Sequence, residues 1–129
     1  MSLVKYKQPN LFKFGAFTAH SGIHLPDKIE CDALTDRDWD CVAAWFARKI
    51  KFQAVVGIPS GGLKLARALE QYAHPDGHWH MLIVDDVLTT GKPMFEYRQK
   101  YPGVGVKGAV LFARIKNIPD WIQPRFVEQ

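Results

Sequence analysis

Two adjacent carboxylates followed by a small polar loop are the strongest chemical feature of the sequence. Asp85 and Asp86 come directly after an apolar run at residues 82–84, and the tripeptide Thr-Thr-Gly follows at residues 89–91. Paired carboxylates at the end of a buried strand are costly to desolvate, so they need partners such as hydroxyl groups, amides or a metal ion. The loop leads into a predicted helix, where hydroxyl and backbone N–H groups favour a phosphate. The pattern indicates a site for ribose 5-phosphate.

A second glycine-rich loop runs from Gly57 to Lys64, between a predicted strand and a predicted helix. Glycine allows the backbone to approach an anion closely at such a position. A nucleoside-triphosphate P-loop is excluded, because Gly62 is followed by Leu63 instead of by Lys and Ser or Thr. An anion site is one interpretation of this loop, and a tight turn between a strand and a helix is the other.

The elements that must position these loops follow from the apolar pattern. Three continuous apolar runs, at residues 54–58, 81–84 and 108–112, are typical of parallel strands covered on both faces. Helical spacing begins after Thr35 and recurs at residues 65–72 and 92–100. This alternation predicts an α/β fold with a doubly wound, mostly parallel sheet, in which ligands bind beyond the carboxyl ends of the strands.

The chain length predicts a single domain, residues 1–129. Its first part, about residues 1–32, has phenylalanines separated by polar or small residues and then glycine and proline, which predicts short strands or a turn-rich flap. The core then covers about residues 33–129.

The apolar run, the acidic pair, two spacer residues and Thr-Thr-Gly together resemble the signature of type I phosphoribosyltransferases. The resemblance implies a small N-terminal hood on the core. It implies that Asp85 and Asp86 are the catalytic pair, which bind the ribose hydroxyls and Mg²⁺, the latter directly or through water. The implied site for ribose and its 5′-phosphate consists of Asp85, Asp86, Val87, Leu88, Thr89, Thr90, Gly91 and Lys92. The implied pyrophosphate contacts are Pro59, Ser60, Gly61, Gly62 and His20.

Residues 14–22, with Phe-Gly, a second Phe and Ser-Gly, resemble the N-terminal segment of orotate phosphoribosyltransferases. Thr89 also resembles the orotate enzymes, which have Thr at this position, whereas purine-salvage members have Asp there. The resemblance implies transfer of ribose 5-phosphate from phosphoribosyl diphosphate to a nitrogenous base, with a pyrimidine favoured, Mg²⁺ as cofactor and a homodimer as the assembly.

The sequence departs from that pattern in three places that bear on catalysis. Pro93 stands where the family has Thr or Ser, and Ser60 where many members have Arg or Lys. Residues 63–84 leave no room for the additional strand and long mobile lid of orotate enzymes. An alternative is therefore a non-catalytic module that senses phosphoribosyl diphosphate or a nucleotide. A receiver-like signalling domain is a third, weaker interpretation. The acidic residues of such a domain should fall on the first strand, and in this sequence they follow a later one.

The bulk composition narrows the class of protein. A net charge of +4 without a Lys/Arg cluster favours neither nucleic acid nor membrane as a partner. No apolar stretch reaches the roughly 20 residues of a membrane span. Two cysteines and no secretory signal predict free thiols in the cytoplasm. Three histidines at positions 74, 78 and 80 are predicted to be incidental to a surface turn. Trp121 is either a base-stacking residue or part of the packing near the C-terminus.

Overall fold

Residues 12–18, 24–29, 31–75 and 80–128 are described by the computed structural model of the chain. The helices and strands in these ranges, in chain order, are β1 (Phe12–Thr18), β2 (His24–Ile29), α1 (Asp36–Lys49), β3 (Ala54–Gly57), α2 (Leu63–Leu69), β4 (His80–Leu88), α3 (Lys92–Arg98), β5 (Gly105–Ala113) and β6 (Ile122–Val127). A short 3₁₀ turn precedes α1 and another follows α2.

The first two strands form an antiparallel hairpin. Phe12 pairs with Ile29 at one end and Thr18 with His24 at the other, with an irregular register between Phe14 and Phe17. The short strands predicted for the first part of the chain are confirmed by this hairpin.

The core is a parallel sheet with the strand order β3-β4-β5-β6. All three predicted strands are present, and β4 and β5 extend beyond their predicted bounds. β6 is not predicted from the sequence, because Pro124 interrupts its short apolar pattern. Proline cannot donate a hydrogen bond to a ladder, but a strand at the edge of a sheet accommodates it. β6 pairs with β5, where Val110 lies opposite Pro124.

Helices cover both faces of the sheet, which confirms the predicted doubly wound α/β architecture. α1 and α2 share one buried cluster with the strands, including the fully buried Phe46, Leu69 and Leu82. A second cluster lies on the other face and includes Met94 of α3 and Ile83 of β4. Burial of one such side chain contributes about 2 kcal/mol, so the two clusters hold the helices against the sheet. α2 and α3, which connect successive strands, therefore lie on opposite faces.

α1 begins with the capping box that the sequence predicts. The Asp38 backbone N–H donates to Thr35 Oγ1 at 3.2 Å, and the Thr35 N–H donates to Asp38 Oδ2 at 2.8 Å. These two bonds satisfy backbone donors that the first helical turn leaves without partners. The helix buries Trp39, Ala43 and Phe46 against the sheet.

Two further sequence expectations concern features outside the sheet. Cys31 is buried, Cys41 is exposed, and no disulfide joins them. Within the described ranges, no helix combines the length and apolar character needed to cross a membrane.

Candidate active site

The acidic pair lies inside β4, near its carboxyl end, whereas the sequence analysis ended the strand before it. Asp85 pairs with Val110 of β5, and the ladder continues beyond the acidic pair to Leu88 opposite Ala113. Carboxylates are depleted in strands, which is why the sequence pattern ends the strand at Val84. Pairing with the long neighbouring strand β5 overrides that local preference.

The alternation of side chains along β4 is interrupted at this pair. Val84 and Val87 both pack against the cluster on the α1–α2 face, although strict alternation would place them on opposite faces. The Asp86 N–H donates to Asp85 Oδ1 at 2.8 Å, and the Val87 N–H donates to Asp86 Oδ1 at 2.8 Å. Each carboxyl group is thus held by the backbone of the next residue, which fixes both groups at the carboxyl edge of the sheet.

Burial, a side-chain hydrogen bond with Asp86 and the like charge of Asp86 together raise the pKa of the Asp85 carboxyl group from 3.8 to about 8, and burial is the largest of these causes. A backbone hydrogen bond from Asp86 acts in the opposite direction, but it is the smallest of these effects. At neutral pH the Asp85 carboxyl group therefore keeps its proton. Hydroxyl ligands or a cation would compensate for the burial of this carboxyl group.

The glycine-rich loop turns sharply from β3 into α2 and stays against β4. The Ile58 N–H donates to the Val84 carbonyl at 2.9 Å, and the Gly62 N–H donates to the Ile58 carbonyl at 2.8 Å. The peptide bond between Pro59 and Ser60 is cis, and both residues are exposed at the top of the turn. A Cβ atom on Gly62 would overlap the Val84 carbonyl, so only glycine allows this close approach to β4.

Gly61 brings the two loops into direct contact. A Cβ atom at this position would lie 2.5 Å from Cγ of Asp86, inside the van der Waals radius of the carboxylate. The missing side chain therefore makes the space that the Asp86 carboxyl group occupies. The structure brings Gly61 and Gly62 together with Asp86 at one edge of the sheet, as the sequence analysis requires.

The loop at residues 89–92 follows β4 and enters α3 through a left-handed residue. Gly91 has φ +80° and is the N-cap, and Pro93 lies in the first turn of the helix. The Lys92 N–H donates to Thr90 Oγ1 at 3.2 Å, and the Thr90 and Lys92 side chains are exposed. α3 spans Lys92–Arg98, so its dipole is small. Any phosphate bound here would depend on hydroxyl and N–H groups of the loop and on the Lys92 charge.

Arg114 is a residue at the same edge that the sequence analysis missed. It follows β5 directly, its N–H donates to the Leu88 carbonyl at 2.8 Å, and its side chain is only 5% exposed. The guanidinium forms an ion pair with Glu128, which follows β6 and is 45% exposed. A charged residue directly after a buried parallel strand is the signal that could have identified it, since ligands bind at the carboxyl ends of such strands.

The remaining sequence candidates are Trp121 and the histidines. Trp121 packs over Gly108, with the Arg98 guanidinium 4.9 Å from its ring centre, so the structure favours packing over base stacking. His20 and His78 lie outside the described residues. His74 is exposed, and the part of the chain that the structure describes contains no group of three or more potential metal-ligating side chains.

No protein-family profile and no curated protein sequence matches the chain. Solved structures do match. The orotate phosphoribosyltransferase from Aeropyrum pernix has a TM-score of 0.68 at 20% identity, over 91% of this chain and 88% of that protein. The UMP synthase of Leishmania donovani has a TM-score of 0.70 at 20% identity, over 91% of this chain, which spans only 33% of the larger protein. A protein from Neisseria gonorrhoeae, solved with bound ppGpp, has a TM-score of 0.52 at 20% identity, over 70% of this chain and 78% of that one.

These similarities, together with the sheet order and the two loops at its carboxyl edge, define the class of the fold. The chain has the type I phosphoribosyltransferase fold. Orotate phosphoribosyltransferases are among the proteins that share it.

Proposed function

We propose that the protein is a phosphoribosyltransferase of the orotate type. It transfers ribose 5-phosphate from phosphoribosyl diphosphate to a nitrogenous base, with a pyrimidine favoured, and releases pyrophosphate. A homodimer, as the sequence resemblance implies, belongs to this proposal.

The observation that carries the proposal is the contact between Gly61 and Asp86. It joins the acidic pair on β4 to the glycine-rich loop after β3, so that a ligand lying on the acidic pair also meets that loop. Phosphoribosyl diphosphate has the matching order of groups, with ribose hydroxyls between a 5′-phosphate and a diphosphate. A tight turn alone would not need a carboxylate to fill the space that the glycine leaves.

Each part of this ligand has its own partner in the proposed complex. Asp85 and Asp86 bind the 2′- and 3′-hydroxyls, which relieves the cost of burying the acidic pair. The 5′-phosphate binds at residues 89–92, where Thr90 and Lys92 are exposed. The diphosphate binds at residues 59–62, together with His20.

Mg²⁺ fits this site when the substrate is present. Mg²⁺ is usually held by one or two carboxylates and by substrate phosphates, rather than by a cage of protein ligands. Asp85 and Asp86 place two carboxyl groups side by side, and either would hold the ion directly or through water. The bound ion would neutralise part of the diphosphate charge. Its binding would also displace the proton that Asp85 holds at neutral pH.

In the proposed reaction, the bond between ribose C1′ and a diphosphate oxygen breaks, and the bonding electron pair leaves with pyrophosphate. A ring nitrogen of the base donates an electron pair to C1′ and passes its proton to solvent. Positive charge develops on the ribose ring as the bond weakens, next to the two carboxyl groups that orient the ring through its hydroxyls. The chain's residues thus position the ribose and stabilise the developing charge.

A non-catalytic nucleotide-binding module on the same fold is the second candidate. Residues 73–79 alone separate the 3₁₀ turn after α2 from β4, which leaves no length for a lid that would exclude water from the reaction. The Neisseria gonorrhoeae protein solved with ppGpp has a similar fold, and ppGpp is a nucleotide carrying two diphosphate groups.

Calorimetry followed by a turnover assay tests both candidates. The full chain is titrated with phosphoribosyl diphosphate in the presence of Mg²⁺, and pyrophosphate release is then measured against a panel of pyrimidine and purine bases. Asp86→Asn removes a proposed hydroxyl ligand with little change in volume, and Asp40→Asn makes the same change at an exposed position of α1.

The enzyme is supported if the chain binds phosphoribosyl diphosphate and releases pyrophosphate with at least one base. Asp86→Asn should then reduce both the affinity and the release rate at least about tenfold, and Asp40→Asn should leave both unchanged. Binding without release for any base supports the sensing module instead. Absence of binding by the unmodified protein refutes both candidates.

A further inference from the structure

The loop that holds the diphosphate in the proposed complex carries no charge of its own. Its residues are Pro59, Ser60, Gly61 and Gly62. The helix that follows, α2, spans only Leu63–Leu69, so its dipole adds little positive charge at the loop. A diphosphate carries several negative charges at neutral pH, and Mg²⁺ neutralises only part of them. The ligand therefore calls for a cation that the chain supplies close to this loop.

Lys64 is the first charged residue after the loop and lies in the first turn of α2. Its side chain is exposed, whereas the next residue, Leu65, is buried against the sheet. The loop passes into the helix through a turn in which the Leu63 N–H donates to the Ser60 carbonyl at 3.2 Å. Side chains on a helix lean toward its N-terminus and cover the preceding turn. Lys64 therefore leans toward the loop, on the side that is open to a ligand.

The acidic pair lies against the same loop, which places Lys64 near the ribose site. A Cβ atom on Gly61 would lie 2.5 Å from Cγ of Asp86. Lys64 follows Gly61 by three residues, and at this spacing on a helical turn Cβ atoms are about 5 to 6 Å apart. The ammonium group of lysine lies at the end of a flexible four-carbon stem, which extends its reach beyond that distance. A diphosphate that extends from a ribose on Asp86 toward the loop thus comes within reach of Lys64.

The other cations near this edge of the sheet have different roles. Lys92 belongs to the loop that holds the 5′-phosphate in the proposed complex. Arg114 is 5% exposed and forms an ion pair with Glu128. Arg67 is exposed, but it lies three residues beyond Lys64 along α2, farther from the loop. Among the residues described at this edge, Lys64 is the cation best placed for the diphosphate.

We propose that Lys64 binds the diphosphate group of phosphoribosyl diphosphate and neutralises part of its charge. This inference rests on the proposed function and adds a residue to the same site. The Lys64 ammonium group donates to phosphate oxygens and keeps its proton throughout. Such charge-assisted hydrogen bonds are about twice as strong as neutral ones. The same contact is available to a non-catalytic module, because it requires the diphosphate and not its departure.

Two ligands that differ by the diphosphate provide the test. Ribose 5-phosphate has the hydroxyl groups and the 5′-phosphate of phosphoribosyl diphosphate, but it has a hydroxyl group instead of the diphosphate at C1′. Calorimetry in the presence of Mg²⁺ measures both affinities for the unmodified chain, for Lys64→Gln and for Arg67→Gln. Arg67→Gln is the matched control, because it removes a positive charge at another exposed position of α2. The ratio of the two affinities reports the contribution of the diphosphate alone.

Lys64→Gln is expected to weaken phosphoribosyl diphosphate binding at least about tenfold and to leave the affinity for ribose 5-phosphate within about twofold. A merely structural role of Lys64 would weaken the binding of both ligands. Arg67→Gln should change neither affinity by more than about twofold, and Lys64→Arg, which keeps the charge, should recover most of the lost affinity.

The inference is overturned if Lys64→Gln leaves the ratio of the two affinities unchanged, or if Arg67→Gln lowers that ratio as much. Either result leaves the proposed function standing, because the unmodified chain still binds phosphoribosyl diphosphate. If the unmodified chain binds neither ligand, the proposed function fails and the inference fails with it.

Discussion

Replacing Asp85 by Asn is expected to remove a pH dependence from the folding stability. The pKa of this carboxyl group is about 8 in the folded chain and 3.8 in the reference state that represents the unfolded chain. Between these two values the folded chain holds a proton that the unfolded chain has lost. The free energy of unfolding therefore decreases as pH rises through this window. The stability from this group is complete below pH 3.8 and is lost by about pH 8.

The magnitude follows from the width of the window. From 3.8 to about 8 is about four pH units, and each is worth about 1.4 kcal/mol, which gives a ceiling of about 6 kcal/mol. Asp85 is half-buried, so water still reaches part of the group, and a small movement of the side chain lowers the cost of its charge. We expect a loss of about 2 to 4 kcal/mol in the free energy of unfolding between pH 5 and pH 9.

Urea unfolding at pH 5 and pH 9 measures this loss. The unmodified chain, Asp85→Asn and Asp40→Asn are compared, because histidines and other titrating groups contribute equally to all three. Asp40→Asn should keep the full loss, and Asp85→Asn should lose at least about 2 kcal/mol less stability than the other two over the same interval. If all three chains show the same difference between the two pH values, the reasoning from burial and from the Asp86 charge is refuted.

Three further predictions concern packing and loop geometry. Gly62→Ala should lower the free energy of unfolding by about 2 to 4 kcal/mol, because the added Cβ overlaps backbone atoms. Gly61→Ala should lower it by less, because the added Cβ meets the Asp86 side chain, but it should weaken phosphoribosyl diphosphate binding at least about tenfold. Urea unfolding and calorimetry separate the two effects, and equal losses of stability would contradict the assignment. Trp121→Leu should lower the free energy of unfolding in urea by about 2 kcal/mol, since the ring packs over Gly108. It should leave affinity for uridine 5′-monophosphate unchanged, and a selective loss of that affinity would favour the interpretation of Trp121 as a base-stacking residue. Thr35→Ala should lower stability by about 1 kcal/mol in urea unfolding, and no loss would mean that the capping box adds nothing.

The sheet and its helices were largely predictable because the apolar pattern and the local capping signals agree. Thr35 and Asp38 act within one helical turn, so their role is visible in the sequence. β6 was not predictable in this way. Its residues Ile122–Val127 contain Pro124, and only pairing with β5 makes them a strand.

The same distinction between local and long-range signals applies to the candidate site. The order of residues in each loop predicts the acidic pair and the glycine turn, since each loop is a continuous stretch of chain. The contact of Gly61 with Asp86 depends on two strands lying side by side, and the pairing of Arg114 with Glu128 depends on β6. Long-range relations of this kind have no local signal, which is why the sequence analysis omitted Arg114.

The placement of α2 and α3 on opposite faces has a consequence for the handedness of the fold. The chain steps from β3 to β4 through α2 and from β4 to β5 through α3, always in the same direction across a parallel sheet. Two such crossovers on opposite faces must have opposite hands, although about 98% of these connections are right-handed. The loop from β5 to β6, with Ile118 and Trp121, packs on the face of α3 and shares its hand. Because right-handed connections prevail so strongly, we assign the right hand to the two connections that share a face and the left hand to the connection through α2. A right-handed connection from α2 would place a strand on the far side of β3, and among the described strands that side of β3 has no neighbour.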